Sequence, residues 1–164
     1  MRTEYLFQFG TIEMEYEEDV LYRLRCIPET KIITSEMRNG RSKFSDDVYR
    51  QIEEFLTRKR NVFHVQYRLN GTEFQKNVWA AVLNIPYGTT KTYKQIAQAI
   101  GNPNASRAVG MANNRNPIML IIPCHRVIGS NGNLTGYAGG LKMKKSLLAT
   151  EQHGMKDVML LTET

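Results

Sequence analysis

The stretch Tyr93-Lys94-Gln95-Ile96-Ala97-Gln98-Ala99-Ile100-Gly101-Asn102-Pro103-Asn104-Ala105-Ser106-Arg107-Ala108-Val109-Gly110-Met111-Ala112-Asn113-Asn114 reads as two short helices around a tight turn. Ile96, Ala97 and Ile100 share one helical face, and Gly101 stops the first helix. Asn102-Pro103-Asn104-Ala105 makes the turn. Ser106 then caps a second helix of about Arg107 to Asn114. Helix, short turn and helix in this span is the helix-turn-helix pattern. Ala108, Gly110 and Ala112 are small, which suits either close approach to a partner or packing against a neighbouring helix.

Upstream, Thr72-Glu73-Phe74-Gln75 fits a capping box, and Phe74, Val78, Ala81, Val82 and Ile85 mark the buried face of another helix. Trp79 reads as core at its edge, and Pro86-Tyr87-Gly88 ends the helical pattern. Asn70-Gly71 is the expected boundary, giving an N-terminal α/β domain over 1–70 and a second domain over 71–164. In the first, Thr11 to Tyr16 and Val20 to Cys26 alternate with period two and read as antiparallel strands, with Glu17-Glu18-Asp19 as their turn. Residues 35–44 read as a loop. Ser45 is the expected cap of a helix carrying Val48, Ile52, Phe55 and Leu56, and Val62 to Leu69 reads as one more strand. The fold class is therefore α+β, a small antiparallel sheet with a helix followed by a mainly helical half.

The chain has 164 residues with a net charge of +6, and 41% of its residues are hydrophobic. That supports a buried core and excludes wholesale disorder. The run Ile118 to Ile122 is too short to cross a bilayer, and Met1 to Tyr5 does not resemble a secretory leader. A soluble cytoplasmic protein is expected. Two cysteines exclude a disulfide scaffold.

Charge is distributed unevenly. Residues 1–70 hold twelve Lys or Arg and twelve Asp or Glu. Between Phe74 and Thr150 there is no acid, against nine Lys or Arg. Such a surface suits a polyanion, since every acid would repel phosphate, and it points to nucleic acid.

Asn116-Pro117 stops the second helix, and Ile118 to Ile122 forms a buried strand or extended segment leading into Pro123-Cys124-His125-Arg126-Val127. A rigidly held thiol beside an imidazole is a nucleophile pattern. His125, directly or through water, is expected to lower the Cys124 pKa, with Arg126 adding positive field. Cys26, alternating with apolar strand residues, reads as structural. Five glycines between Gly129 and Gly140 allow tight turns and a backbone wall against a flat ligand. They do not form a phosphate loop. Leu141 to Glu151 reads as a helix carrying Lys142, Lys144 and Lys145. Glu151, the first acid after Glu73, is either the partner of His125 or a solvated helix-end residue. His64 has no second ligand at metal spacing.

Taken together, Pro123-Cys124-His125-Arg126-Val127, Ile85-Pro86-Tyr87-Gly88, Arg107-Ala108-Val109-Gly110, Asn116-Pro117, Gly136-Tyr137-Ala138-Gly139-Gly140 and Leu147-Leu148-Ala149-Thr150-Glu151 resemble the O6-alkylguanine-DNA alkyltransferases. The resemblance runs from about Phe74 to Glu151. It implies irreversible transfer of an alkyl group from O6-alkylguanine in double-stranded DNA, and possibly from O4-methylthymine, to Cys124, by a monomer that needs no cofactor. Cys124 would be the acceptor, His125 and Glu151 its relay, Asn116 a support for that network and Tyr93 the proton donor to the leaving guanine. Arg107 would replace a nucleotide flipped out of the stack. Ser106, Ala108, Gly110, Ser130 and Arg126 would contact DNA through the minor groove, and Val127, Tyr137 and Ala138 would line the base pocket. The resemblance also implies a ribonuclease-H-like first half and a winged-helix-like second half. Some relatives hold an N-terminal structural zinc. With only Cys26 and His64 available before residue 124, none is expected here.

Overall fold

Alternating burial builds a three-stranded antiparallel sheet from β1 (Arg2–Phe7), β2 (Gly10–Glu17) and β3 (Val20–Ile27), in the order β1-β2-β3. Ile12 lies opposite Tyr5 and Cys26, and Met14 opposite Leu24, so the apolar set faces one core. Glu18 and Asp19 both take left-handed backbone, with φ of 48° and 63°. That turn geometry matches the twist of a hairpin. β1 went unforeseen because Thr3 and Glu4 are buried alongside Tyr5 and blur its alternation. The computed structural model describes residues 1–28 and 40–162, with side chains through His153. Of the expected loop over 35–44, residues 35–39 lie outside the described residues, while Lys43 and Phe44 belong to the first helix.

Helix α1 (Lys43–Leu56) begins earlier than the sequence suggested. Ser42, not Ser45, is its cap, and the two serines bond each other's backbone reciprocally. Val48, Ile52 and Phe55 are its buried face. Val62 to Leu69 is not a strand. Its side chains do alternate, with Phe63, Val65, Tyr67 and Leu69 packed against the core. Its backbone joins β3 only around Leu21, which donates to Gln66 O and accepts from Arg68 N, each at 2.9 Å. The rest of that edge is taken by another segment: Leu24 N donates to Pro117 O at 2.8 Å, and Met119 N to Leu24 O at 3.0 Å.

The second half starts with α2 (Glu73–Leu83), held by the Thr72/Gln75 capping box. Trp79 is buried and donates its indole N–H to Ala112 O at 2.9 Å, tying α2 to the next helices. Next come β4 (Lys91–Thr92), α3 (Tyr93–Ala99) and α4 (Ser106–Asn114). Ser106 is the first residue of α4 and not its cap; Ala105 occupies the cap position without a side-chain bond. β5 (Val127–Ile128) pairs in parallel with β4. Helix α5 (Leu141–Thr162) continues well past Glu151.

Ile118 to Ile122 is buried but not extended. After the bridge to Leu24 it turns tightly: Leu120 has φ of 71°, and Ile122 N donates back to Ile118 O at 3.0 Å. A branched residue in left-handed backbone is a rare conformation held by its surroundings. Two cores meet here. The first joins the sheet and α1 to Ile118–Ile121, Met143 and Leu147. The second packs Val78, Trp79, Val82, Ile96, Ala97 and Val109 with Ile122 and Val127. The first core thus draws residues from both sides of position 70. Among the described residues, no helix is long and apolar enough to cross a membrane.

Candidate active site

Cys124 sits just past this seam, in a single 3-10 turn, Cys124–Arg126, that follows Pro123. The end of α4 grips its backbone. Asn113 Nδ2 donates to Cys124 O at 3.2 Å, and Asn116 Nδ2 to Ile122 O at 2.8 Å. Asn116 also accepts from Ile118 N at 2.9 Å. The thiol is 4% exposed.

His125 and Glu151 are both fully buried, and His125 Nε2 lies 2.6 Å from Glu151 Oε1. Burial pushes the Glu151 carboxyl up, but His125 and Arg126 together outweigh it and hold the group below its ordinary value. An ionised carboxylate only accepts, so Nε2 carries the hydrogen and Nδ1 keeps the lone pair. Nδ1 is buried and bonds no protein atom. Burial also pushes the His125 pKa down, against the pull of Glu151, so the ring is a neutral base at pH 7. The ring of Phe55, from α1, meets the His125 ring edge to face at 6.2 Å.

Arg126, expected among the DNA contacts, points into the protein. It is 6% exposed and turned inward, with Nε and Nη2 donating to Glu151 at 2.9–3.0 Å and Nη1 donating to Ile85 O at 2.8 Å. Gly88 N adds a bond to Glu151 Oε2 at 3.1 Å. The one acid of the basic region is therefore saturated by an arginine, a histidine and a backbone amide. A desolvated guanidinium paired with a carboxylate in this way is stable only as a pair.

The thiol does not have the depressed pKa expected from its neighbours. Burial pushes Cys124 up to about 11, and the Asn116 side chain, Lys144 and nearby backbone N–H groups oppose this only in part. Desolvation disfavours the thiolate more than one distant cation favours it. The resting nucleophile is a protonated thiol beside a neutral base.

Lys144 was not singled out from its neighbours Lys142 and Lys145 by the sequence, yet it alone of the three is buried. Its Nζ donates to Val127 O at 2.6 Å and Thr135 O at 2.9 Å, pinning β5 to the glycine-rich loop. Burial pushes its pKa down to about 8, so it remains largely charged at pH 7. A signal was present: Lys144 precedes Glu151 by seven residues, two turns on one helical face.

An open cleft of about 560 Å³ is lined in part by Tyr93, Ser106, Arg107, Gly110, Ser130 and Thr135. Tyr93 donates its hydroxyl to Thr135 O at 2.9 Å. A Cβ at Gly110 would meet only the Tyr93 ring, at 3.8 Å, so internal packing does not demand glycine there. Gly139 is tighter: a Cβ there would come within 2.8 Å of Met143 Sδ and 3.0 Å of the Tyr137 ring, so those side chains would have to shift. Val127 is fully buried, Ala138 is exposed, and the Tyr137 hydroxyl is buried without a protein partner. Ala108 is exposed next to Arg107 on α4. Among the described residues, no three of His, Cys, Asp or Glu gather as metal ligands.

A family model described as the DNA-binding domain of 6-O-methylguanine DNA methyltransferase matches residues 73–153. The methylated-DNA–protein-cysteine methyltransferase of Methanosarcina barkeri is 54% identical over 114 residues, spanning 70% of this chain and 72% of that one. The enzyme of that name from Mycolicibacterium paratuberculosis is 43% identical over 145 residues, 87% of each chain. The crystal structure of Mycobacterium tuberculosis OGT in complex with DNA is similar across 93% of both chains, with a TM-score of 0.81 and 39% identity. With the cysteine, histidine and glutamate assembled as described, the chain belongs to the methylated-DNA–protein-cysteine methyltransferase family.

Proposed function

We propose that the protein repairs DNA by direct reversal, moving the alkyl group of O6-alkylguanine onto Cys124 once and irreversibly. The observation that carries this is a buried thiol next to a neutral imidazole whose far nitrogen is fixed on a saturated carboxylate. The thiol proton passes, through water, to His125 Nδ1, and Glu151 balances the resulting imidazolium. The sulfur attacks the alkyl carbon, forming S–C as C–O6 breaks. Tyr93 protonates the departing guanine at N3 and recovers its proton through the same relay, so the thiol hydrogen ends on guanine. The thioether is stable, and no group in the site regenerates the thiol.

Guanine O6 in a stacked pair cannot meet a sulfur buried inside the protein, so the nucleotide must leave the duplex. The cleft between Tyr93, Gly110 and Ser130 receives it, and the family resemblance sets Val127, Tyr137 and Ala138 against the base. Arg107, at the start of α4, fills the gap with a planar head that stacks on bases. The small residues Ala108 and Gly110 suit α4 to the minor groove. On this reading residues 1–70 are a ribonuclease-H-like scaffold, residues 71–164 a winged-helix-like DNA and acceptor domain, and the protein acts as a cytoplasmic monomer on double-stranded DNA.

Mass spectrometry after mixing with a duplex containing O6-methylguanine tests the proposal. One methyl on Cys124 per molecule, with product formation reaching a plateau at that stoichiometry, is expected. No adduct would mean a lesion-binding protein without chemistry, and a transient adduct with continued release would mean a hydrolase. Either result overturns the proposal.

A further inference from the structure

The exposed face of α4 continues past the cleft. Its exposed residues are Arg107, Ala108, Met111, Asn114 and Arg115, the last just beyond the helix. Steps of one, three, three and one residue form a single stripe on a helix. Met111 is 59% exposed, and among the described residues it is the only large aliphatic side chain of α2, α3 or α4 left in water. A second groove of about 220 Å³ opens beside it, bounded by Thr72, Phe74, Gln75, Ala108 and Arg115. Two arginines flank the methionine, and the stretch from Phe74 to Thr150 contributes no acid against a phosphate. Glu73 lies next to Thr72, so the Arg115 side of the groove is the one that favours an anion.

We infer that Met111 is a positioning residue for the duplex. It presses its side chain against the sugar and base edges of the minor groove, next to the nucleotide drawn into the cleft. The inference rests on the proposed function, in which α4 faces DNA. Met111 lies one turn from Arg107, about 6 Å along the helix axis, or roughly two base-pair steps of ~3.4 Å each. Methionine is flexible and polarisable, so it fits an irregular surface at any flanking sequence. Minor-groove proteins use such apolar side chains at base steps to hold a duplex open or bent. The contact favours the opened duplex while Arg107 occupies the gap.

The test compares Met111→Ala, Met111→Leu and Met111→Glu in the full chain. Affinity for an unmodified duplex is measured across a salt series, together with single-turnover transfer from an O6-methylguanine duplex and from free O6-benzylguanine. Met111→Ala should weaken duplex binding and slow duplex transfer by roughly five-fold, the effect of returning part of a methionine side chain to water. The salt slope should stay unchanged because no phosphate contact is lost. Met111→Leu should restore both, Met111→Glu should be worse than alanine, and transfer from the free base should match wild type in all three. Unchanged duplex affinity in the alanine and glutamate variants overturns the inference and assigns the stripe to a protein partner or to none. An equal loss on the free base also overturns it. If the wild type binds duplex yet forms no Cys124 adduct, the proposed function fails, while the Met111 contact is still decided by affinity alone.

Discussion

In the first seventy residues, acids meet bases on the same surface. Buried Glu13 takes both Arg2 and Arg25, the latter at 2.7 Å, and Arg50 bridges Asp47 and Glu54, which in turn holds Arg60 at 2.8 Å. In the second half the only paired acid among the described residues is Glu151, hidden with Arg126 and His125. Arg107 and Arg115 lie exposed with no ion pair among the described residues. Among the described residues, much of the N-terminal half's charge is paired internally, as the proposed scaffold role requires. From Phe74 to Glu151 the C-terminal half has a single acid, Glu151, in the interior beside the histidine, and leaves its outer cations without acidic neighbours in sequence. The exposed pairs around Arg50 contribute little to stability, whereas the buried Glu151 pair is costly to break.

The sharpest way to break this contrast is at the sulfur. Cys124→Ser should abolish transfer altogether while binding alkylated duplex as wild type does, since the charge field is untouched. Residual adduct by mass spectrometry would place the acceptor elsewhere. Glu151→Gln comes next. It should slow single-turnover transfer roughly ten- to a hundred-fold by loosening the imidazole. It should also destabilise the protein by about 3–5 kcal/mol, because Arg126 is left charged and buried. Thermal unfolding and transfer well below the melting point separate the two effects, and a normal rate in the folded variant would remove Glu151 from the relay.

Lys144→Met sharpens the electrostatic side. Loss of the ammonium raises the thiol pKa further, and one unit at the thiol is roughly ten-fold less thiolate at pH 7. Transfer should fall by about that factor, with the gap to wild type narrowing as Lys144 itself deprotonates above its value of about 8. A gap that stays constant up to pH 9.5 would mean that Lys144 acts only by holding Val127 and Thr135.

The smallest effect belongs to the scaffold. Glu13→Gln should leave transfer per folded molecule unchanged and cost about 1 kcal/mol of stability. Burial pushes the Glu13 carboxyl up, but Arg25 and Arg2 pull it below its ordinary value of 4.5. A depressed folded pKa gives stability that is complete above 4.5 and disappears as pH falls through the folded value. The variant's deficit in melting temperature should therefore be largest near neutral pH and shrink in acid. A deficit independent of pH would make the Glu13 interaction non-ionic.

Much of this contrast was legible before the structure. The acid gap and the ordered motifs around Cys124 are plain in the chain, as are the capping box at Thr72 and the period-two strands. What was not legible depends on burial. Arg126 reads as another cation of a basic surface until its side chain turns in toward Glu151. Neighbouring positive groups suggest a depressed thiol pKa, but desolvation decides the sign. Val62 to Leu69 has the side-chain pattern of a strand yet lacks a free edge to pair with, because residues 117–119 occupy it. Local pattern reports which way side chains face; it does not report which backbone reaches a sheet edge first.

That occupied edge has a consequence for the lifetime of the protein. The outer side of β3 is closed by two short non-strand segments, around residues 66–68 and 117–119, and the second lies a few residues before Cys124. An uncovered strand edge is a template for aggregation. Loosening of the backbone before the cysteine would uncover the Leu24 edge to another chain. Resistance to aggregation should therefore depend on how firmly the segment that positions the sulfur is held.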